Sequence, residues 1–394
     1  MPTMNLVPVT ADDYRRIAER KLPRFLFDYV DGGAFQEVTL DRNRADFEAI
    51  LPRQRVMRDV SGVDTSGTLA DTPATMPVAL APVGMGGMLA RRAEVQAKHA
   101  ADTAGVPFTL STVSICSMEE VAAVSDKPFW FQLYMLRDRA IVAELLDRAW
   151  GLGVRTLVFT VDLAVVGERY RDVRNGIAGG VAGWSKLRAG PLSYAAHPGW
   201  VLDVGIKGKP HTFGNLATYV PAATDPTQYR EWVGHQFDPS VTWKDIEWLR
   251  GIWKGKLMIK GVLSSEDARS AVSAGADSIV VSNHGGRQLD GVASSISVLP
   301  DVAEALSGSA EILVDGGVRS GLDLFRARAL GADGAMIGRP WAYAVAARGE
   351  AGITGLLAAF KRELEVALAL CGVTCLTEVT RDLVSRRQVF HVLD

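Results

Sequence analysis

The chain lacks several features that would have fixed its class at once. Runs of the roughly 18 uninterrupted apolar residues that a spanning helix requires never occur, so a membrane-crossing segment is not expected. The opening Met1-Pro2-Thr3-Met4-Asn5-Leu6 carries no basic flank ahead of an apolar run, which argues against a secretory signal. Cysteine is scarce. Cys116, Cys371 and Cys375 are too few for a secreted disulfide scaffold and read as packing residues in a reducing cytoplasm. Charge of one sign is missing too: 43 basic against 45 acidic residues leave a net charge of −2, with no basic patch that would draw nucleic acid. No G-x-G-x-x-G fingerprint, P-loop or H-E-x-x-H pattern is found. A bound mononucleotide therefore fits better than NAD, ATP or zinc, and no metal is expected.

What is present is apolar material in quantity. Over 394 residues, 48% hydrophobic and 22% charged side chains suffice for a large core, and the chain reads as one α/β domain spanning 1–394. Thr10 is a plausible helix N-cap, with Asp12 and Asp13 in the first turn. Pro23 restarts a helix that should end at Gly32-Gly33. Beyond this helical lead-in, eight short β-branched or aromatic runs alternate with helical patterns. They are Val78–Pro82, Phe108–Ser111, Trp130–Tyr134, Thr156–Thr160, Leu257–Lys260, Ser278–Ser282, Ile312–Asp315 and Ala335–Gly338. The alternation predicts a (β/α)8 TIM barrel over about 77–372, interrupted after the fourth strand by a long insertion over about 171–254. Ala274-Gly275-Ala276-Asp277 and Leu330-Gly331-Ala332-Asp333 repeat one device, a left-handed glycine that stops a helix before the next strand.

The insertion is too long for an ordinary connection. Between Arg174 and Ala222, the basic residues Arg174, Lys186, Arg188, Lys207 and Lys209 stand against one acid, Asp203, among the exposed-looking aromatics Trp184, Tyr194, Trp200 and Tyr219. Two readings are open: contact with an anionic membrane surface, or an active-site lid.

A barrel places its chemistry at the C-terminal ends of its strands. Polar residues gather there: Gln132 and Tyr134, Thr160 and Asp162, Lys260, Ser282 and His284, Asp315, and Gly338-Arg339. His284, followed by two glycines and Arg287, is the candidate base, with Asp162 able to orient it and stabilise its charge. His99, His197, His211, His235 and His391 lack such a context and read as structural. Arg287 and Arg169 suit a substrate carboxylate. Lys260 should face an anionic or electron-accepting group. Asp315-Gly316-Gly317-Val318-Arg319 and Gly338-Arg339 follow the seventh and eighth strands, where barrels bind phosphate.

With these residues in view, the chain resembles the FMN-dependent L-2-hydroxy acid oxidase/dehydrogenase family along its whole length. The resemblance rests on Ser282-Asn283-His284-Gly285-Gly286-Arg287-Gln288-Leu289-Asp290, Ala81-Pro82-Val83-Gly84, Phe131-Gln132-Leu133-Tyr134, Thr160-Val161-Asp162 and Asp315-Gly316-Gly317-Val318-Arg319. It implies FMN as cofactor and oxidation of a small L-2-hydroxy acid. His284 would be the base with Asp162 beside it, while Arg287, Arg169, Tyr29 and Tyr134 hold the substrate. Lys260 would stabilise the reduced flavin, with Gln132, Thr160, Ser111 and Ser282 on the ring or ribityl chain. Ala81, Pro82 and Val83 would also contact the cofactor, and Asp315, Gly317, Arg319, Gly338 and Arg339 would hold ribityl and phosphate.

The lactate dehydrogenase branch that reduces quinones is the nearest in pattern, through Phe108–Ser114 and Gly167–Asp172. Val113 stands where glycolate oxidase-like members have Trp, and Ala164-Val165 is similar to mandelate dehydrogenase. The implied partners are a hydroxy acid, a quinone or other electron acceptor, and a membrane surface touched peripherally from the cytoplasmic side. The implied assembly is a homotetramer. An oxidase using O2, a mandelate-type dehydrogenase and a non-catalytic flavin or hydroxy acid sensor are the competing readings.

Overall fold

In the computed structural model, residues 7–175, 191–220 and 235–386 are described. Helix α1 (Ala11–Lys21) starts with a capping box: Thr10 accepts from the Asp13 backbone, and the Asp13 side chain accepts from that of Thr10. Helix α2 (Arg24–Asp31) follows from Pro23 and stops at Gly32, and α3 (Val38–Glu48) completes the lead-in.

Eight parallel strands then form the barrel. They are β1 (Val78–Leu80), β2 (Thr109–Ser111), β3 (Trp130–Leu133), β4 (Thr156–Thr160), β5 (Lys256–Val262), β6 (Ser278–Val281), β7 (Glu311–Val314) and β8 (Gly334–Ile337). Neighbours pair in chain order from β2 to β8, and β8 returns to β1 through Ala335 and Val78. The ring closes between β1 and β2 by one bridge, Leu80 to Phe108, where the Leu80 amide donates to the Pro107 carbonyl at 2.9 Å. The repeated turn behaves as its sequence predicts, with Gly275 and Gly331 both at φ +103°. Asp277 and Asp333 then reach back to cap the backbone of Leu257 and Ile312 at 2.8 and 3.0 Å.

The side-chain period of two sorts each strand between the outer helices and the lumen. Val78, Phe131, Leu157, Ile259, Ile279 and Val314 pack outward against the helices. Ala79, Trp130, Val158, Met258, Val280, Leu313 and Met336 fill the lumen. A short hairpin, Gly67–Leu69 with Thr72–Ala74, plugs the N-terminal mouth with Leu69 and Ala70. Two residues beyond that inner layer stand Ala81, Gln132, Thr160, Lys260, Ser282, Asp315 and Gly338. One parity of the strands thus carries nearly all the expected cofactor residues to the C-terminal mouth.

The strand ends differ slightly from the sequence reading, most at β5, which runs past Lys260 to Val262. Gly261 makes this possible: at φ +112° it forms a bulge, and a Cβ there would lie 2.7 Å from the side chain of Asp162. Of the insertion's aromatics, Tyr194 is exposed as its sequence suggests. Trp200 and Tyr219 are only partly exposed, and the Trp200 indole donates to the Met88 carbonyl at 2.9 Å. Trp184, Lys186 and Arg188 lie outside the described residues.

Candidate active site

His284 follows β6 with its backbone in the left-handed region, φ +57°, a conformation costly for any residue but glycine. The Ser282 hydroxyl accepts from its amide at 3.0 Å, and Nδ1 lies 2.7 Å from Oδ1 of Asp162. With Nδ1 engaged, Nε2 is the ring atom left to take a proton. Burial holds the imidazole below its ordinary value of 6.5; Asp162 opposes that shift, while Lys260 and Arg169 reinforce it. Burial would raise the Asp162 carboxyl, yet His284 and Lys260 outweigh it and keep the carboxyl below the usual range. The pair is therefore a neutral imidazole beside a fixed anion, ready to become an ion pair.

Around it lies a cavity of about 520 Å³, within the range of ligand pockets. Tyr29, Tyr134, Arg169, His284 and Arg287 line one part of it. Ala81, Pro82, Val83, Thr160 and Lys260 line another, and Asp315, Gly317, Arg319, Gly338 and Arg339 a third. Asp162, Ser111, Gln132 and Ser282 stand just behind the wall. Gln132 spans three strands there, donating to Thr160 at 3.1 Å and accepting from the Ser111 hydroxyl at 3.1 Å. Ser282 serves Lys260 as well as His284, accepting from the ammonium at 2.9 Å.

Besides Arg169, three guanidiniums converge on this cavity. Burial lowers Arg287 to about 9, with Arg169 adding to the effect, and lowers Arg339 to about 10, with Arg319 opposing its charge. Arg319 itself is shifted down by burial. Their donors meet backbone carbonyls: Arg287 those of Tyr29 and Gly32, Arg339 those of Val30, Gly32 and Gly285, and Arg319 that of Val318. Arg287 also stacks over the Tyr29 ring, 4.9 Å from its centroid. Among the described residues, no carboxylate forms an ion pair with any of the three.

Lys260 and Asp315, expected at the cofactor ring and its ribityl chain, both line the cavity. They meet each other, Nζ to Oδ2 at 2.7 Å, so that Lys260 is held above the ordinary lysine value although its burial works the other way. The second oxygen of Asp315 is buried without a partner, as is that of Asp162. Gly317, at φ +102°, must be glycine: a Cβ would sit 2.2 Å from the Asn43 carbonyl. Asn43 is anchored by a reciprocal amide pair with Asn283, at 2.9 and 2.7 Å.

Several site residues escaped the sequence reading. Phe213 and Phe237 come from the insertion and line the cavity, with Phe237 edge-on to Tyr134 at 5.3 Å between centroids. Asp172, buried with one oxygen unpartnered, feels Arg287 and Arg169. No local pattern marks an aromatic or an acid as belonging to a site built by strands far away in sequence. His99, His197 and His211 lie elsewhere, bound to Glu350 and to the carbonyls of Ser193 and Val204. His391 lies outside the described residues.

The mouth can seat two anions side by side and place a neutral base against one of them. That defines the class: a barrel enzyme acting on a small carboxylic acid next to a phosphorylated cofactor. The chain belongs to the FMN-dependent dehydrogenase family, whose pattern matches residues 18–386. It is 51% identical over 377 residues to an L-lactate dehydrogenase of Allorhizobium ampelinum, covering 96% of this chain and 98% of that one. It is 53% identical over 374 residues to an L-lactate dehydrogenase of a Caulobacter species, covering 95% and 97%. Among solved structures, a monotopic membrane protein, (S)-mandelate dehydrogenase, superposes with a TM-score of 0.90 at 33% identity, covering 98% of this chain and 100% of that one. A mandelate oxidase does so with 0.81 at 36%, covering 97% and 99%.

The residues present fit FMN. The half-buried Arg319 and Arg339, without a carboxylate ion-pair partner among the described residues, suit a phosphate, the unpartnered oxygen of Asp315 suits a hydroxyl donor, and the glycine at 317 brings backbone close to the cavity.

Proposed function

We propose that the protein oxidises L-lactate to pyruvate and passes the electrons to a quinone or another carrier. The observation that carries this reading is the His284–Asp162 pair at 2.7 Å, set in one cavity with Arg287 and Arg169. The substrate carboxylate is gripped by the two guanidiniums, while Tyr134 and Tyr29 present hydroxyls to its oxygens. His284 takes one proton from the substrate, and Asp162 stabilises the imidazolium that results. Bound FMN would supply the acceptor for the two electrons and the second proton that the substrate loses. Lys260, already paired with Asp315, holds positive charge where negative charge gathers on reduction. Arg319 and Arg339 are assigned to the phosphate, and Gln132, Thr160, Ser111 and Ser282 to the polar edge of the ring and its chain.

Lactate is favoured over larger acids by the walls. Phe213, Phe237, Leu163 and Val166 crowd the cavity near Tyr134, and the 51–53% identical relatives are named for lactate. Val113, smaller than a tryptophan, partly offsets this crowding and keeps mandelate as the second substrate to try. Docking on the cytoplasmic face of a membrane is supported by Leu192, Tyr194, Leu202 and Ile206, exposed side by side in sequence with Lys207 and Lys209. No helix among the described residues is long and apolar enough to cross a membrane. A homotetramer is the assembly we propose, on the family resemblance alone.

The test is anaerobic titration of the yellow protein with L-lactate, L-mandelate and glycolate while the oxidised flavin band is followed. Fastest bleaching by L-lactate is expected, followed by faster reoxidation by a soluble quinone than by air. A yellow protein that no 2-hydroxy acid bleaches overturns the enzymatic reading in favour of a sensor. Faster reoxidation by air makes it an oxidase.

A further inference from the structure

The inner segment of the insertion enters the barrel wall. Asn215 is fully buried, and so is Leu216 beside it. The Asn215 amide donates to the Ser111 carbonyl and to the Ser114 hydroxyl, both at 3.0 Å, and its oxygen accepts from the Met118 amide at 2.8 Å. The Gly214 amide adds a bond to the Ser114 carbonyl at 3.0 Å, and a Cβ on Gly214 would stand 2.5 Å from the Ser117 nitrogen. Both donors of the side chain are spent on Ser111 and Ser114, at the end of β2 and in the turn after it, and its oxygen on Met118, which starts the next helix. That turn carries Ser111 and Val113, and Val113 lines the cavity. From the other side the buried carboxylate of Glu94 grips the same turn, accepting from the Ile115 amide at 2.9 Å and from Gly87 at 3.0 Å.

We propose that Asn215 is a positioning residue for the cofactor-facing turn 111–115, which makes the inner part of the insertion a working piece of the active-site wall. Ser111 touches Gln132, and Gln132 touches Thr160, so the carbonyl that Asn215 fixes belongs to the residue opening the hydrogen-bonded row behind the cavity. A side chain used only to fill space would not meet three separate polar groups. Of the two residues before it, Phe213 lines the cavity and Gly214 stands against the backbone of Ile115–Ser117, so the grip and the wall are one short segment. The inference rests on FMN occupying this cavity.

The test compares Asn215→Ala and Asn215→Asp with Tyr219→Phe in the full-length holoenzyme. Tyr219 is the control because its hydroxyl, 3.3 Å from Arg148, anchors the same segment away from the turn. Asn215→Asp retains the acceptor for Met118 and loses both donors, to the Ser111 carbonyl and the Ser114 hydroxyl, so it tests those two bonds apart from the third. Loss of one buried hydrogen bond corresponds to about a tenfold change. We expect FMN to dissociate about tenfold more readily from both Asn215 variants, with a displaced flavin absorption band, while Tyr219→Phe matches the parent. A folded Asn215→Asp with parental FMN affinity and spectrum, losing only thermal stability, overturns the proposal. If neither variant folds, hydrogen exchange in the parent decides. FMN binding should slow exchange at the amides of Gly214 and Met118, and equal exchange with and without FMN overturns it. A parent protein that binds FMN tightly establishes the cofactor reading whatever the variants do.

Discussion

The two mouths of the barrel are built from the same eight strands and the same inward-facing parity, yet they share almost no chemistry. At the N-terminal mouth the lumen is filled by Leu69, Ala70, Trp130, Val158 and Met336, and the hairpin that plugs it is tied down by ordinary hydrogen bonds, Trp130 to Thr72 at 3.1 Å and Ala70 to Glu311 at 3.0 Å. Two residues further along the strands stand Lys260 and Asp315, both buried, and the loops just beyond add Asp162, His284 and four arginines to the C-terminal mouth. Buried charge weakens a fold unless it is matched. The lower layer therefore supplies the stability that the upper layer draws upon, and a change in one should be read in a different measurement from a change in the other.

That division can be broken at several points. The greatest effect is expected at His284: replacing it with Gln should lower kcat by roughly 10²–10⁴-fold, the usual contribution of a positioned base, with the melting temperature little changed. Retention of more than a tenth of the activity would remove His284 from the role of base. Asp162→Asn should follow, with a loss of about 10²-fold or more, and its pH profile sharpens the point. Because burial keeps His284 below 6.5, kcat/KM in the parent should climb through an acid limb below that value and level off near neutrality. Asp162 opposes the depression, so its removal should move the limb to still lower pH. A limb that moves upward would show that Asp162 does not act through His284.

Arg287→Lys comes next. A point charge cannot copy the planar two-pronged grip, and KM for the hydroxy acid should rise about 10- to 100-fold, measured by steady-state kinetics. On activity the smallest effect belongs to the lower mouth. Leu313→Ala should cost about 2–5 kcal/mol in urea unfolding while leaving kcat within about twofold of the parent at low temperature. A large loss of kcat there would erase the distinction between the layers.

Much of this division was readable before any coordinates. The parity that sends Met258 into the lumen and Lys260 to the mouth follows from the period of a strand, and an ionisable residue ending an apolar run has few places to go but a site. The repeated Ala-Gly-Ala-Asp and Leu-Gly-Ala-Asp turns were legible because a left-handed glycine is a local requirement. The direct Lys260–Asp315 pair was not, since it depends on how two strands are spaced around the ring. Nor was the depth of the insertion. Its composition suggested a surface, and composition cannot reveal that Asn215 and Leu216 are fully enclosed. Deleting residues 174–222 would seem a clean way to separate membrane docking from flavin reduction. It would also take away the inner wall.

The convergent arginines carry a consequence for the chain as a whole. Folding gathers Arg287, Arg319 and Arg339 where no carboxylate among the described residues pairs with them, while the extended chain keeps them apart in water. An anion that binds only the gathered form shifts the folding equilibrium by mass action, by about 2.7 kcal/mol when present at a hundred times its dissociation constant. The cofactor is thus more than a reagent lodged in a finished vessel: its phosphate is one of the ions that complete the native state, so the supply of cofactor sets how much of the protein is folded as well as how much is active.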